Sequence, residues 1–260
     1  MPTVTSDKAE IYYEVHGEGA PVVFAHGRGG NAASWWQQVP HFAKDYRVIV
    51  FDHRSFGRSV CAHEEFDRTK FDIDLLAVLD AEGIERTAIV CQSMGGWTGL
   101  RTTVHHPARV SCLVLSNTPG GIDTPEVAAC LENSQRMFAE QGVGRAAVAP
   151  DFPDRNPEGA YLYAQIGGLN VNLPADLRGR STGPEDKIEP AQLSDVDTPT
   201  LFITSENDLL FPPEMIRGLS ALIPGAECVE LPMAGHSPYF ETPDAFNETV
   251  GAFLAKHAAA

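Results

Sequence analysis

The stretch that most constrains this chain is Ala88-Ile89-Val90-Cys91-Gln92-Ser93-Met94-Gly95-Gly96-Trp97. It begins as an apolar run of strand character and ends as the first turn of a helix, with Ser93 at the junction. A serine on so sharp a strand-to-helix turn is forced into a strained backbone conformation, and its hydroxyl is pushed out at the top of a sheet. The turn demands small residues two before and two after the serine. Those positions hold Cys91 and Gly95; glycine is usual at both, and a thiol side chain is still compact. The same pentad also fits a serine that merely caps a helix N-terminus, so the rest of the chain has to decide between the two readings.

Apolar runs and helical stretches alternate along most of the 260 residues. Residues 9–15 alternate as a hairpin strand does, and Gly17-Glu18-Gly19 follows as a turn. Residues 21–25, 47–51, 110–115, 198–204 and 227–231 read as further strands, the continuous runs among them being of the buried kind. Helices are expected over 34–42, over a stretch with Phe71, Leu75, Leu76, Val78 and Leu79 on one face, from Ser93 to about His106 before Pro107, and over 245–258. This alternation predicts an α/β protein with a doubly wound, mostly parallel sheet of about eight strands. Between residues 122 and 196 the rhythm breaks. About 75 residues carry no strand signal and many Pro and Gly, too many for a structureless loop. They read as an inserted helical cap after the sixth strand, over a core of residues 1–121 and 197–260.

Composition narrows the partners. Nineteen basic residues against 35 acidic ones give a net charge of −16, which repels nucleic acid phosphates and anionic membrane surfaces. Five cysteines, Cys61, Cys91, Cys112, Cys130 and Cys228, form no CxxC pair. Cys91, Cys112 and Cys228 lie in apolar, strand-like runs where a thiol acts as a small hydrophobe, which points to a reducing, cytoplasmic setting. No leader-like or membrane-spanning run is expected. His105 and His106 are not spaced as metal ligands, and Gly27-Arg28-Gly29-Gly30 lacks a nucleotide fingerprint. Neither metal nor cofactor is expected, and the sequence sets no oligomeric state.

Taken together, the elbow, the strand–helix rhythm and two later motifs resemble the α/β-hydrolase fold family over nearly all of the chain except 122–196. The later motifs are Asn207-Asp208-Leu209-Leu210-Phe211-Pro212 after one strand and Gly235-His236-Ser237-Pro238 after the last. The family orders its triad as Ser, acid, His, so the resemblance implies Ser93 as nucleophile, Asp208 as orienting acid and His236 as base. All three would lie at carboxyl ends of parallel strands, where open α/β sheets build their sites. Asp197 precedes its strand and would sit at the wrong end. Glu206 is close, but Asp208 followed by Pro212 fits the family better. A serine hydroxyl needs a neighbouring imidazole to take its proton, and the imidazole needs a carboxylate to fix its tautomer.

The same resemblance implies an oxyanion hole from the backbone N–H groups of Met94 and Arg28. Gly27, Gly29 and Gly30 would let the backbone approach a substrate, and the Arg28 side chain would reach it too. Asp52-His53-Arg54-Ser55-Phe56-Gly57-Arg58-Ser59 resembles a structural loop of the family, with Ser55 where glycine is usual. Trp35, Trp36 and Trp97 are candidate pocket residues beside core roles. From the cap, Phe138 and Phe152 are candidate pocket residues, with Met137, Tyr161, Tyr163, Ile166 and Leu169 as further apolar candidates that equally fit the cap's own packing.

The expected activity is hydrolysis of a small carboxylic ester or lactone through an acyl-enzyme. Ser116-Asn117-Thr118 and the short cap are somewhat like those of small-lactone hydrolases, enol-lactonases among them, and equally like those of carboxylesterases. Alternatives with the same residues are carbon–carbon bond hydrolysis, cofactor-free perhydrolysis, or a small-molecule receptor with little turnover.

Overall fold

The structure is a computed structural model and describes residues 2–177 and 187–258. Nine strands among them form one sheet. In chain order they are β1 (Thr3–Ser6), β2 (Ala9–His16), β3 (Ala20–Ala25), β4 (Tyr46–Phe51), β5 (Val60–Cys61), β6 (Thr87–Gln92), β7 (Val110–Ser116), β8 (Thr200–Ser205) and β9 (Glu227–Leu231). They lie in the order β1-β2-β4-β3-β6-β7-β8-β9, with β5 against β2. From β4 through β9 every neighbouring pair is parallel. Only the pairings of β1, β4 and β5 with β2 are antiparallel.

Nine strands agree with the expected sheet of about eight, and β1 and β5 are the two without a sequence signal. β1 is largely exposed and β5 is two residues long, so neither shows the apolar run by which the longer strands are recognised. The long helical segment consequently follows the seventh strand. β6 and β7 are buried at every residue, as strands covered on both faces must be. The helices Gly95–His105 and Pro243–His257 both pack on β7, and Phe71–Ala81 packs on the first of these.

The expected single helix over 34–42 is two short pieces. A 3-10 turn, Ala32–Trp35, is capped by Asn31, and a separate turn, Val39–Phe42, carries Pro40 in its first positions. Proline cannot supply the N–H that would join them. Cys228 is exposed on β9, contrary to the expected burial, because β9 closes the edge of the sheet.

Between β7 and β8 the described residues form the helices Pro125–Gln141, Val143–Ala146, Phe152–Arg155, Pro157–Gly168 and Pro190–Leu193; residues 178–186 of the expected cap lie outside the description. The two ends of this segment meet where Ile122 bridges Ile188. Its buried side chains, among them Val127, Ala149, Phe152, Tyr163 and Leu193, join the same apolar cluster as the strands. No helix among the described residues is long and apolar enough to cross a membrane.

Candidate active site

Ser93 follows β6 directly and adopts φ +50°, a left-handed conformation that costs a non-glycine residue about 1–3 kcal/mol. Packing over-determines it. Its N–H donates to the Ser116 carbonyl at 3.0 Å, and the Thr118 hydroxyl donates to its carbonyl at 2.6 Å. A Cβ on Gly95 would stand 2.1 Å from the Ala25 carbonyl oxygen, so the helix after the turn rests directly on β3. Cys91 fits because Gly99 makes room: a Cβ there would meet the Cys91 sulfur at 2.3 Å. Burial pushes the Cys91 thiol far up, which keeps it protonated and inert.

The structure brings Ser93, His236 and Asp208 together from the ends of β6, β9 and β8. His236 Nε2 stands 2.7 Å from Ser93 Oγ, and His236 Nδ1 stands 3.0 Å from Asp208 Oδ2. With Nδ1–H donating to the carboxylate, Nε2 is left as an acceptor facing the serine hydroxyl. Asp208 is buried and surrounded by donors. Oδ1 accepts from Leu210 N at 2.9 Å and Phe211 N at 3.1 Å, while Oδ2 also accepts from Asn117 Nδ2 at 2.9 Å. The rival acids are elsewhere: Glu206 accepts from Met233 N in an exposed position, and Asp197 is exposed ahead of β8. Such an arrangement can move a proton from a hydroxyl to an imidazole whose tautomer is fixed from behind.

The loop after β3 reaches the same place. A Cβ on Gly27 would lie 3.0 Å from Ser93 Cβ and 2.1 Å from Gln92 Oε1, so only glycine lets this loop pass beside the serine. Gly30 N–H donates to Gly27 O at 3.0 Å, closing the turn that carries Arg28. Behind it is a buried relay. His26 Nδ1–H donates to Gly27 O (2.8 Å), His53 Nδ1–H donates to His26 Nε2 (3.0 Å), and the Thr98 hydroxyl donates to His53 Nε2 (2.8 Å). Both rings are neutral in this pattern, and burial accordingly lowers His26 below 6.5 and His53 well below it. Met94 stands at the start of the Gly95–His105 helix, where the dipole's positive end favours developing negative charge.

In front of Ser93 lies a cavity walled mainly by Met94, Trp97, Leu131, Phe138 and Phe211, with Arg68, Ser134 and Gln135 also on its lining. The Arg28 side chain also lines it, with its guanidinium over the Phe138 ring at 5.1 Å. Phe152 does not: it is fully buried and packs edge-on against Phe240 at 6.4 Å. The first turn of its helix is turned into the core, which corrects the expectation that it lines the pocket. Trp35 is likewise core, 4.6 Å from Tyr239, and Trp36 is half exposed. Tyr161 and Leu169 face solvent, whereas Tyr163 and Ile166 are buried.

The loop from Asp52 to Ser59 is scaffolding. Asp52 accepts from Ala32 N (2.6 Å) and Arg58 N (2.7 Å). Arg54 forms a buried two-point pair with Asp74 at 2.6 and 2.7 Å. Ser55 has φ +67°, which is why glycine is usual there.

Two neighbours escaped the sequence reading as functional residues. Asn117 directly follows β7 at the same sheet edge, a position that could have flagged it. Glu241 is a buried carboxylate beneath the His236 loop, and nothing in its local sequence distinguishes it from a surface acid. No cluster of His, Cys, Asp and Glu able to hold a metal occurs among the described residues.

The profile of the "Alpha/beta hydrolase family" matches residues 22–249. The "Putative carbamate hydrolase RutD" of Azorhizobium caulinodans is 29% identical over 98% of this chain and 99% of its own length. The solved structure of Est816, described as an N-acyl homoserine lactone degrading enzyme, is 30% identical with TM-score 0.81, covering 97% of this chain and 100% of that one. An enol-lactonase from Burkholderia xenovorans LB400 is 25% identical with TM-score 0.79, covering 98% and 100%. A profile match over most of its length and this sheet together establish that the chain belongs to the alpha/beta hydrolase family.

Proposed function

We propose that this protein is a serine hydrolase that cleaves a small carboxylic ester or lactone through an acyl-enzyme. The observation that carries the reading is the line of contacts from Asp208 through His236 to Ser93, at 3.0 and 2.7 Å, opening into an apolar cavity. In this reading His236 takes the Ser93 proton as Oγ attacks the carbonyl carbon. The oxyanion settles against the N–H groups of Met94 and Arg28. The C–O bond to the leaving group breaks as His236 returns the proton to it. His236 then activates water, which frees the acid from Ser93. Asp208 keeps the ring in the productive tautomer and stabilises its transient charge.

The described residues between 122 and 196 serve as a cap, with Leu131 and Phe138 forming the cavity's upper wall. A cytoplasmic setting belongs to the same reading and is supported by five unpaired thiols. Similarity to Est816 and to the enol-lactonase favours a lactone within the ester class. A second reading, carbamate hydrolysis, is favoured by the RutD relative and uses the same attack on a carbonyl carbon.

The test is turnover of short-chain p-nitrophenyl esters, γ-lactones, acyl homoserine lactones and aryl carbamates, with Ser93→Ala as control. An ester or lactone is expected to be hydrolysed, with kcat falling at least about 10³-fold in Ser93→Ala. A wild-type protein inert to all of them, or a fully active Ser93→Ala, overturns the proposal. Carbamates outrunning both other classes decides for the second reading.

A further inference from the structure

The proposed reaction gives no part to Glu241, yet this buried carboxylate is bound more completely than a space-filling residue needs. Oε1 accepts from Gly235 N at 3.1 Å and from Ser237 N at 3.1 Å, so one oxygen holds the peptide groups on both sides of His236. Oε2 accepts from Ala149 N at 2.8 Å, in the helical segment between β7 and β8. The same join is made twice more. A Cβ on Gly235 would stand 2.2 Å from Ala149 N, so the two backbones touch with no side chain between them. The Tyr163 hydroxyl and Ser237 Oγ share a hydrogen bond of 2.8 Å, with Ser237 fully buried. Burying a carboxylate costs desolvation, and that burial pushes Glu241 above the usual carboxylate range against the pull of its three N–H partners.

We propose that Glu241 is a positioning residue for His236, locking the loop that carries the base onto the helical segment over the site. This rests on the reading of His236 as the base. The chemistry explains why a carboxylate is needed. It is the compact side chain with acceptors at both ends and no donor. Glutamine has the same shape but one end becomes an NH₂. Whichever way that amide turns, either Ala149 or the Gly235–Ser237 pair loses its acceptor and faces a donor instead. The loop then shifts, and His236 Nε2 leaves its place beside Ser93 Oγ. The cavity wall is untouched, so substrate binding is unchanged.

The test compares full-length wild type, Glu241→Gln and Glu241→Asp, with the exposed Glu248→Gln as a surface control and His236→Ala as reference. Two quantities are read: kcat and KM on the fastest short ester, and the downfield proton resonance of His236 Nδ1–H, identified by its loss in His236→Ala. In Glu241→Gln kcat is expected to fall about 10²-fold, as for a reactive group displaced by about 1 Å, with KM within about twofold. The His236 resonance should broaden or vanish while circular dichroism reports a folded protein. Glu241→Asp keeps the charge but is too short to span both sides. It should show the same split more mildly, and it carries the test if Glu241→Gln does not fold. Wild-type kcat with an intact resonance in whichever variant folds overturns the inference. If His236→Ala itself keeps wild-type activity, the reading of the base has failed instead, and the resonance still reports whether Glu241 orders the ring.

Discussion

Asp208 is held by donors on both oxygens, and the His236 ring lies 3.0 Å away. Asp208→Asn keeps that shape but presents the imidazole with a group that fixes the wrong tautomer. Its kcat should fall by about 10³–10⁴-fold. Glu206→Gln, which alters only an exposed contact to Met233 N, should change kcat less than about twofold. Steady-state kinetics of the two purified variants checks the ranking, and the reverse order would make Glu206 the acid. At this scale the sequence was legible where chemistry and chain order act together. Ser93, Asp208 and His236 each follow a strand in the order the family uses, and each alternative acid had a positional argument against it. It was not legible for Phe152, because an aromatic side chain reads the same whether it walls a cavity or fills a core. Only the turn of the Phe152–Arg155 helix toward Phe240 separates the two.

That distinction becomes testable between elements. Phe138 lies on the long Pro125–Gln141 helix with its ring in the cavity wall. Phe138→Ala should alter preference among acyl chain lengths by about 1–3 kcal/mol in relative kcat/KM and cost little stability. Phe152→Ala should leave that preference unchanged and lower the unfolding free energy by about 3–5 kcal/mol. A shift of chain-length preference in Phe152→Ala alone would return that residue to the pocket.

The His26–His53–Thr98 relay joins the loop after β3, the loop after β4 and the helix after Ser93, and burial holds both imidazoles neutral. Their folded values lie below the ordinary 6.5, so below that value the unfolded chain takes up protons that the folded one refuses. The stability they contribute is therefore complete above pH 6.5 and is lost as pH falls toward the folded values, by up to about 1.4 kcal/mol per pH unit for each ring. Urea unfolding of wild type and His53→Gln at pH 7.5 and 5.5 should show the gap between them narrowing at the lower pH. A constant gap would contradict the buried neutral pair. None of this relay was legible beforehand: His26 and His53 are 27 residues apart, and only the parallel pairing of β3 with β4 sets them side by side.

Over the whole molecule, the parallel sheet could be read because strands covered on both faces must be continuously apolar, as β6 and β7 are. β1 and β5, short and lying at the open edge, leave no such trace. The helical segment after β7 was recognisable by its missing strand signal. Its union with the strands in one apolar cluster was not, because that depends on which faces of short helices meet. Against a net charge of −16, the molecule places Arg28 and Arg68 in the wall of the otherwise mainly apolar chamber in front of Ser93. The central claim is that all of this serves a single activated serine. The most direct measurement is to react the protein with a fluorophosphonate, which modifies a serine only when a neighbouring base takes its proton, and to locate the adduct by tandem mass spectrometry. One adduct per chain is predicted, on Ser93 and absent from His236→Ala. An adduct on any other serine, or equal labelling of Ser93 without His236, would contradict the account.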